Sequence, residues 1–184
     1  MDDQRDVIEV LTHDHREVEE LFDQIEQATD GSERRELTDQ VITELIRHSV
    51  AEEQYMYPAA REYIPDGDAI VDGEIADHNE VEEALKALED IDADDPEFMN
   101  RFRRMSEDVK DHVQEEEDEL FPKLRQHATA EALRELGKKV ERAKKMAPTR
   151  PHPSSPDTPP LNKILGPGVG LVDRVRDKLT GRAS

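Results

Sequence analysis

A pattern of histidines and glutamates occurs twice along this chain, and the second copy follows the first by 63 or 64 residues. The two copies consist of residues 14–20 and 77–83, each beginning Asp-His, and of two His-x-x-x-Glu motifs, His48 to Glu52 and His112 to Glu116. Such a repeat predicts two similar helical hairpins related by a pseudo-twofold axis. The repeated polar residues are then expected to meet near that axis.

Apolar residues recur three and four positions apart over five segments, which is the spacing of an amphipathic helix. The predicted helices cover about residues 4–28, 33–63, 69–90, 96–127 and 130–146. Short turns rich in Gly, Pro, Asp and Ser separate the first four, and no segment alternates as a strand does. We therefore predict an all-α fold, an antiparallel up-down four-helix bundle followed by a fifth helix and a C-terminal tail.

Charge and composition divide the chain into three regions. Residues 1–146 hold 43 acids and 19 bases, whereas residues 147–184 hold 3 acids and 6 bases. Frequent Pro and Gly predict an extended linker over residues 147–168. Residues 169–184 place Val and Leu three or four apart among Arg and Lys, which predicts a short basic amphipathic helix. This tail is expected to dock on the acidic body or on a partner protein, and a membrane surface is the less favoured alternative.

The net charge of −21 opposes binding to nucleic acid and to anionic membranes. The absence of Cys excludes disulfides, zinc–thiolate sites, iron–sulfur clusters and Cys nucleophiles. The first residues do not look like a signal peptide, and no apolar run of about 20 residues is present. We therefore expect a cytoplasmic protein.

Six polar residues of the repeat continue the apolar stripes of the predicted helices. They are His15, His48, Glu52, His78, His112 and Glu116. A carboxylate buried alone costs several kcal/mol, so two of them at one level of a core require positive charge. No Lys or Arg lies on these stripes near that level. Metal cations are the simplest counter-charge, and the i, i+4 spacing of each His–Glu pair lets both side chains reach the same metals.

The type of ligand narrows the choice of metal. Imidazole and carboxylate without thiolate suit iron, manganese or zinc. Six residues around one ion would leave no open position, whereas two ions sharing both glutamates would each stay unsaturated and able to bind a small molecule. The Glu-x-x-His motif of ferritin-like di-iron proteins does not occur in the sequence.

The order of these motifs, H, HxxxE, H, HxxxE, resembles the hemerythrin-like HHE cation-binding domain over about residues 5–125. The resemblance implies two non-haem iron ions with an oxo or hydroxo bridge in a four-helix bundle. It implies that His15 and His48 hold one iron, that His78 and His112 hold the other, and that Glu52 and Glu116 bridge. Oxygen carriers of this family use a fifth His one turn from the position of His78. Here those places hold Glu74 and Glu82, which argues against reversible oxygen transport.

Tyr55 follows Glu52 by three residues and is predicted on the metal-facing stripe. It is either a core aromatic or a phenol that ligates the metal or takes part in its redox chemistry. Glu53 and Glu117 flank the ligands in another phase and are predicted on a solvated face.

Three functions remain open from the sequence. The first is the binding of oxygen, peroxide or nitric oxide for sensing or scavenging. The second is a di-iron catalase- or peroxidase-like enzyme of oxidative-stress defence. The third is an iron sensor or interaction module in which metal loading alters partner binding through the basic tail.

Overall fold

The computed structural model describes residues 5–147, so the predicted linker beyond Ala147 and the predicted basic helix lie outside the described residues. The helices are α1 Val7–Gln27, α2 Gly31–Ala51, α3 Tyr57–Tyr63, α4 Gly67–Glu89, α5 Phe98–Glu115, α6 Phe121–His127 and α7 Ala130–Met146. Within residues 5–147 there is no strand. The predicted all-α fold is confirmed.

Two of the long helices contain a π-helical insertion. The segment Glu52–Met56 joins α2 to α3 and the segment Glu116–Leu120 joins α5 to α6, in each case without a break. In each segment a backbone N–H bonds to a carbonyl five residues earlier, from Tyr57 to Glu52 and from Phe121 to Glu116. Five rods result, and they match the five predicted segments.

The rods form two hairpins and one additional helix. The first hairpin is α1 with α2–α3, the second is α4 with α5–α6, and α7 packs on α1 and α2. Side chains at the helix starts accept backbone N–H groups, which otherwise lack a partner in a first turn. Asp6 and Glu9 form a capping box on α1, Asp30 caps α2, and Thr129 caps α7.

Two apolar clusters fill the bundle above and below a polar layer. The loop cluster, which lies toward the α1–α2 and α4–α5 loops, includes Phe22, Ile25, Leu85, Phe98 and Phe102. The α7 cluster includes Leu11, Met56, Leu120, Leu133 and Val140. Burying one such side chain stabilises the fold by about 1.5–3 kcal/mol. The polar layer is therefore held between two well-packed ends of the same core.

Gly137 allows α7 to approach the start of the chain closely. A Cβ at this position would lie 2.7 Å from the carbonyl oxygen of Arg5, which no side chain could accommodate without movement. The residues that α7 buries, among them Leu133 and Val140, belong to the α7 cluster. No helix within the described part of the chain is long and apolar enough to cross a membrane.

Candidate metal centre

The structure brings all six predicted ligands into one buried layer. His15 comes from α1, His48 from α2, His78 from α4 and His112 from α5. Glu52 and Glu116 are the first residues of the two π-helical segments. None of the six is more than 7% exposed.

The histidines form two pairs whose Nε2 atoms face each other. The Nε2 atoms of His15 and His48 are 3.3 Å apart, and those of His78 and His112 are 3.1 Å apart. Both carboxylates lie between the pairs. Glu52 places Oε1 3.1 Å from Nε2 of His48 and Oε2 3.3 Å from Nε2 of His78.

Glu116 occupies the matching position in the second hairpin. Its Oε2 lies 3.4 Å from Nε2 of His15 and 3.9 Å from Nε2 of His112. Each carboxylate therefore reaches one histidine of its own hairpin and one of the other hairpin. Among the described residues, the donor atoms fall into three overlapping groups, and the atoms of each lie within 4.8 Å of one another. The groups are His15, His48, Glu52 and Glu116; Glu52, His78 and His112; and Glu74, His112 and Glu116.

The hydrogen bonding of this layer is incomplete without a cation. Both carboxylate oxygens of Glu52 and Oε2 of Glu116 are buried and have no hydrogen-bond partner. A buried acceptor without a partner costs about 1–3 kcal/mol, and a charged one costs more. Convergent imidazole nitrogens and unpartnered carboxylate oxygens are the donors that iron, manganese and zinc accept in proteins. The residues present therefore fit a pair of metal ions.

A second layer of carboxylates faces the outer nitrogen of every histidine. The Nδ1 atom of His15 is 2.7 Å from Glu117, that of His48 is 3.3 Å from Asp14, that of His78 is 3.1 Å from Glu53, and that of His112 is 3.0 Å from Glu74. A carboxylate on one ring nitrogen fixes the ring and its tautomer, and so directs the other nitrogen to the metal. The Nε2 atoms of His15, His48 and His78 are directed inward in this way. The contact between His112 and Glu74 is close but does not have the geometry of a hydrogen bond.

Two of these carboxylates were not expected at the site. Glu53 and Glu117 were predicted on a solvated face, yet each contacts a histidine of the opposite hairpin. The reason is the π-helical insertion, because both residues lie inside it, where the phase of an α-helix does not apply. One signal was available in the sequence, since Glu53 and Glu117 are themselves 64 residues apart and belong to the repeat.

The phenol that the structure brings to the ligands is Tyr57, in place of the predicted Tyr55. The Tyr57 hydroxyl donates to Oε1 of Glu116 at 3.1 Å and lies 3.0 Å from Nε2 of His78. Tyr57 is 1% exposed, whereas Tyr55 is half-buried and packs at the edge of the α7 cluster. The wider turn of the π-helical segment moves the inward-facing position from the third residue after Glu52 to the fifth.

The matching residue of the second hairpin carries no hydroxyl. Phe121 stacks on the His15 ring, with the ring centroids 5.7 Å apart and the planes 6° from parallel. The two hairpins therefore present the same ligands, but only the first contributes a phenol to the layer.

The pKa values describe the site in the absence of metal. Burial alone would lower the pKa of His48, but the carboxylates of Glu52 and Asp14 raise it to about 10. The pKa values of His78 and His112 are also raised against the effect of burial, mainly by Glu52 and by Glu116 respectively. Burial would raise the pKa of Glu52, yet His48 and His78 hold it well below its usual range. Protons on the imidazoles thus balance the carboxylates until a metal replaces them.

Tyr57 keeps its proton in this environment. Burial raises the pKa of its hydroxyl well above the usual value, and the negative charge of Glu116 and Glu52 raises it further. The side chain is therefore a neutral hydrogen-bond donor over the physiological range of pH.

A small cavity adjoins the four histidines on the side of the loop cluster. Its volume is about 20 Å³, enough for one molecule of the size of water or a little larger. Apart from the histidines, most of its wall surface is apolar, although polar side chains also contribute to it. The apolar residues are Val18, Phe22, Leu45, Val81, Val109 and Val113, and the polar ones are Asp14, Glu19, Ser49 and Lys110. Such walls favour a small, uncharged ligand, because a charged one would lose its hydration there.

The fold and this site agree with a known family. The hemerythrin HHE cation-binding domain family model matches residues 6–124. The chain belongs to this family, which confirms the resemblance drawn from the sequence.

Two relatives and one solved structure are similar to this chain. The chain is 29% identical to an uncharacterized hemerythrin-like protein of Schizosaccharomyces pombe over 94% of this chain and 86% of the relative. It is 31% identical to a DNA nickase of Nostoc over 74% of this chain but only 38% of that protein. The crystal structure of a hemerythrin HHE cation-binding domain-containing protein from Mycobacterium kansasii superposes with a TM-score of 0.68 at 24% identity, covering 77% of this chain and 86% of the other. That likeness establishes the fold.

Proposed function

We propose that this protein holds two non-haem iron ions with an oxo or hydroxo bridge and binds a small ligand, oxygen, peroxide or nitric oxide, for sensing or scavenging. The observation that carries the proposal is the pair of histidine couples sharing Glu52 and Glu116 beside a small apolar cavity. In the proposed assignment, His15 and His48 hold one iron and His78 and His112 hold the other.

The metals would supply redox electrons and open coordination positions. The chain supplies the remaining functions. Glu53, Glu117 and Asp14 orient three of the histidines, and the mainly apolar cavity walls disfavour charged molecules. The Tyr57 hydroxyl offers a hydrogen bond beside the ligand layer. This combination suits a neutral molecule of two to four atoms.

Peroxide decomposition is the second candidate, and Tyr57 is the observation that favours it. The overall reaction converts two molecules of hydrogen peroxide into two of water and one of oxygen, so protons must move between oxygen atoms within the site. A buried phenol that keeps its proton and is hydrogen-bonded to Glu116 can donate a hydrogen bond to a peroxide oxygen without admitting bulk water. An oxygen carrier has no need of such a group.

Two measurements test both candidates. Iron content per chain, followed by visible spectra in the presence of oxygen, peroxide or nitric oxide, reports binding. Oxygen evolution from added peroxide reports turnover. We expect Tyr57→Phe to reduce oxygen evolution by about 10²-fold or more at equal iron content. The matched control is Tyr55→Phe, which removes a hydroxyl two residues away and should leave the rate unchanged.

The results separate the candidates. A stable adduct with a small ligand and no oxygen evolution by the unmodified protein would favour binding. Equal rates in the two Tyr variants and the unmodified protein would remove Tyr57 from the chemistry. A chain that holds no iron would contradict the whole proposal.

From the likeness to a DNA nickase we propose no role on DNA. The shared segment is 38% of that protein. Residues 1–146 contain 43 acids and 19 bases, a balance that repels a phosphate backbone.

A further inference from the structure

We propose that Lys144 of the fifth helix is a positioning residue for the metal centre and that it acts through Asp14 on His48. The inference rests on the proposed function, because it concerns the metal held by His15 and His48. Helix α7 provides none of the six proposed ligands. Under this inference it nevertheless supports the half of the site formed by His15 and His48.

The contact runs through a single buried carboxylate. Asp14 is 6% exposed. Its Oδ1 accepts a hydrogen bond from Nζ of Lys144, and its Oδ2 lies 3.3 Å from Nδ1 of His48. A carboxylate held at both oxygens cannot turn about its own axis. The His48 ring is therefore kept with Nε2 directed at Glu52, 3.1 Å away.

The rest of α7 is built to hold Lys144 in place. Its side chain is 18% exposed, so most of the stem is covered while the ammonium reaches Asp14. The preceding turns are fixed by the burial of Val140 and Ala143 and by an ion pair between Glu141 and Arg5, 3.2 Å apart. An ionic hydrogen bond in such a partly dehydrated place is stronger than one at the surface.

The matching place in the second hairpin lacks this support. Asp77 is the counterpart of Asp14 in the repeat, and its side chain is 41% exposed and lies 3.8 Å from Nδ1 of His112. Glu74 takes the closer position, 3.0 Å from the same nitrogen. Because α7 packs on the first hairpin, the His15–His48 half is braced from outside and the His78–His112 half is not.

The test uses the full chain and Co(II), whose visible spectrum reports its ligands. Apo protein is titrated with Co(II) against a competing chelator to obtain both dissociation constants. The variants are Lys144→Met, which keeps the stem and removes the charge, and Lys144→Arg, which keeps the charge. Lys145→Met is the matched control, since that neighbouring side chain is exposed.

We expect Lys144→Met to lower the affinity for one of the two Co(II) ions about 10-fold and to alter the visible spectrum of that ion. Loss of a residue that orients a metal ligand has effects of this size. The other ion, and both ions in Lys145→Met, should be unchanged. Lys144→Arg should recover most of the loss. Asp14→Asn should weaken the same ion, and Lys144→Met added to it should cause no further loss.

Each contrary result has a distinct meaning. If the unmodified chain binds no Co(II) and no iron, the proposed metal centre is overturned and the inference with it. If the unmodified chain binds two ions and Lys144→Met binds them equally well, only the inference is overturned. If both ions weaken together with a loss of helical signal and Lys144→Arg does not recover them, Lys144 is a folding residue and the inference also fails.

Discussion

The two hairpins of the bundle carry the same three ligands each but surround them differently. In the first hairpin, Asp14 is buried and paired with Lys144, and the residue that closes the π-helical segment is Tyr57. In the second hairpin, the counterpart Asp77 is half-exposed and the closing residue is Phe121. In the proposed function, the six ligands contact the same pair of ions, which explains why they are alike in the two hairpins. The neighbouring residues are not constrained in this way and differ between the two halves of the site.

The largest expected effect comes from removing one histidine of each hairpin. His48→Ala with His112→Ala should reduce iron from about two ions per chain to almost none, because each half loses one of its imidazoles. Inductively coupled plasma mass spectrometry of protein produced with added iron provides the measurement. The matched control is His13→Ala with His127→Ala, which removes two exposed histidines and should keep both ions. Full iron in the first variant would exclude these ligands.

A rise in pH should lower the stability of the apo protein and raise the stability of the metal-loaded protein. The folded-state pKa of His48, about 10, is above its usual value of 6.5, so its contribution to stability is complete below about pH 6.5 and is lost as the pH rises toward 10. The free energy of unfolding of the apo protein should therefore fall by on the order of 5 kcal/mol over this window. The raised pKa of His112 acts in the same sense in the second hairpin.

Metal loading reverses this trend, because protons and metals compete for the same nitrogens. Urea unfolding of apo and loaded protein at about pH 6 and about pH 9 provides the measurement. The apo protein should be the more stable at the lower pH, and the loaded protein at the higher. Parallel trends in the two forms would show that the imidazoles are not the groups that exchange protons for metal.

Exchanging the aromatic residues tests whether the phenol defines the difference between the hairpins. Tyr57→Phe removes the hydrogen bond to Glu116 and should lower the free energy of unfolding by about 0.5–1.5 kcal/mol. Adding Phe121→Tyr places a hydroxyl at the matching position of the second hairpin. If the pseudo-twofold relation extends to the chemistry, the double variant recovers part of the lost peroxide turnover. If the double variant recovers stability but not peroxide turnover, the phenol must come from the first hairpin for the reaction to proceed.

The smallest effect is expected at Asp77. Its side chain is half-exposed and 3.8 Å from His112, and Glu74 already lies closer to that histidine. Asp77→Asn should therefore change the free energy of unfolding by less than about 0.5 kcal/mol and leave iron content unchanged. Asp14→Asn, made in the same background, is the comparison. Equal effects of the two substitutions would mean that the hairpins are supported alike.

The bundle and the meeting of the six proposed ligands in one layer could be predicted because both depend on spacing along the chain. His15, His48, His78 and His112 interrupt apolar stripes that have the period of an α-helix, and the repeat shows that they recur together. The α-helical period also placed Tyr55 on the metal-facing stripe, where the structure has Tyr57. Five-residue turns at Glu52 and Glu116 shift every later residue. The local signal for them is the proline behind each turn, Pro58 or Pro122, which lacks a backbone N–H and disturbs a regular helix one turn earlier.

The proposed role of Lys144 could not be predicted from the sequence, for a different reason. It contacts Asp14 across 130 positions of the chain, and the periodicity of α7 does not determine which of its lysines faces α1. The rotation of one helix against another depends on the packing of its apolar residues and on the close approach at Gly137. That packing becomes visible only in three dimensions.

The crossing contacts of Glu53 and Glu117 link the metal to the closure of the bundle. Each carboxylate orients a histidine of the opposite hairpin, so each hairpin depends on the other for the orientation of one of its two imidazoles. Metal binding and hairpin docking are then thermodynamically coupled. A change that favours one of them favours the other by the same coupling free energy. Separation of the two hairpins should release both ions in one cooperative step. The amount of bound metal would then report whether the hairpins are docked.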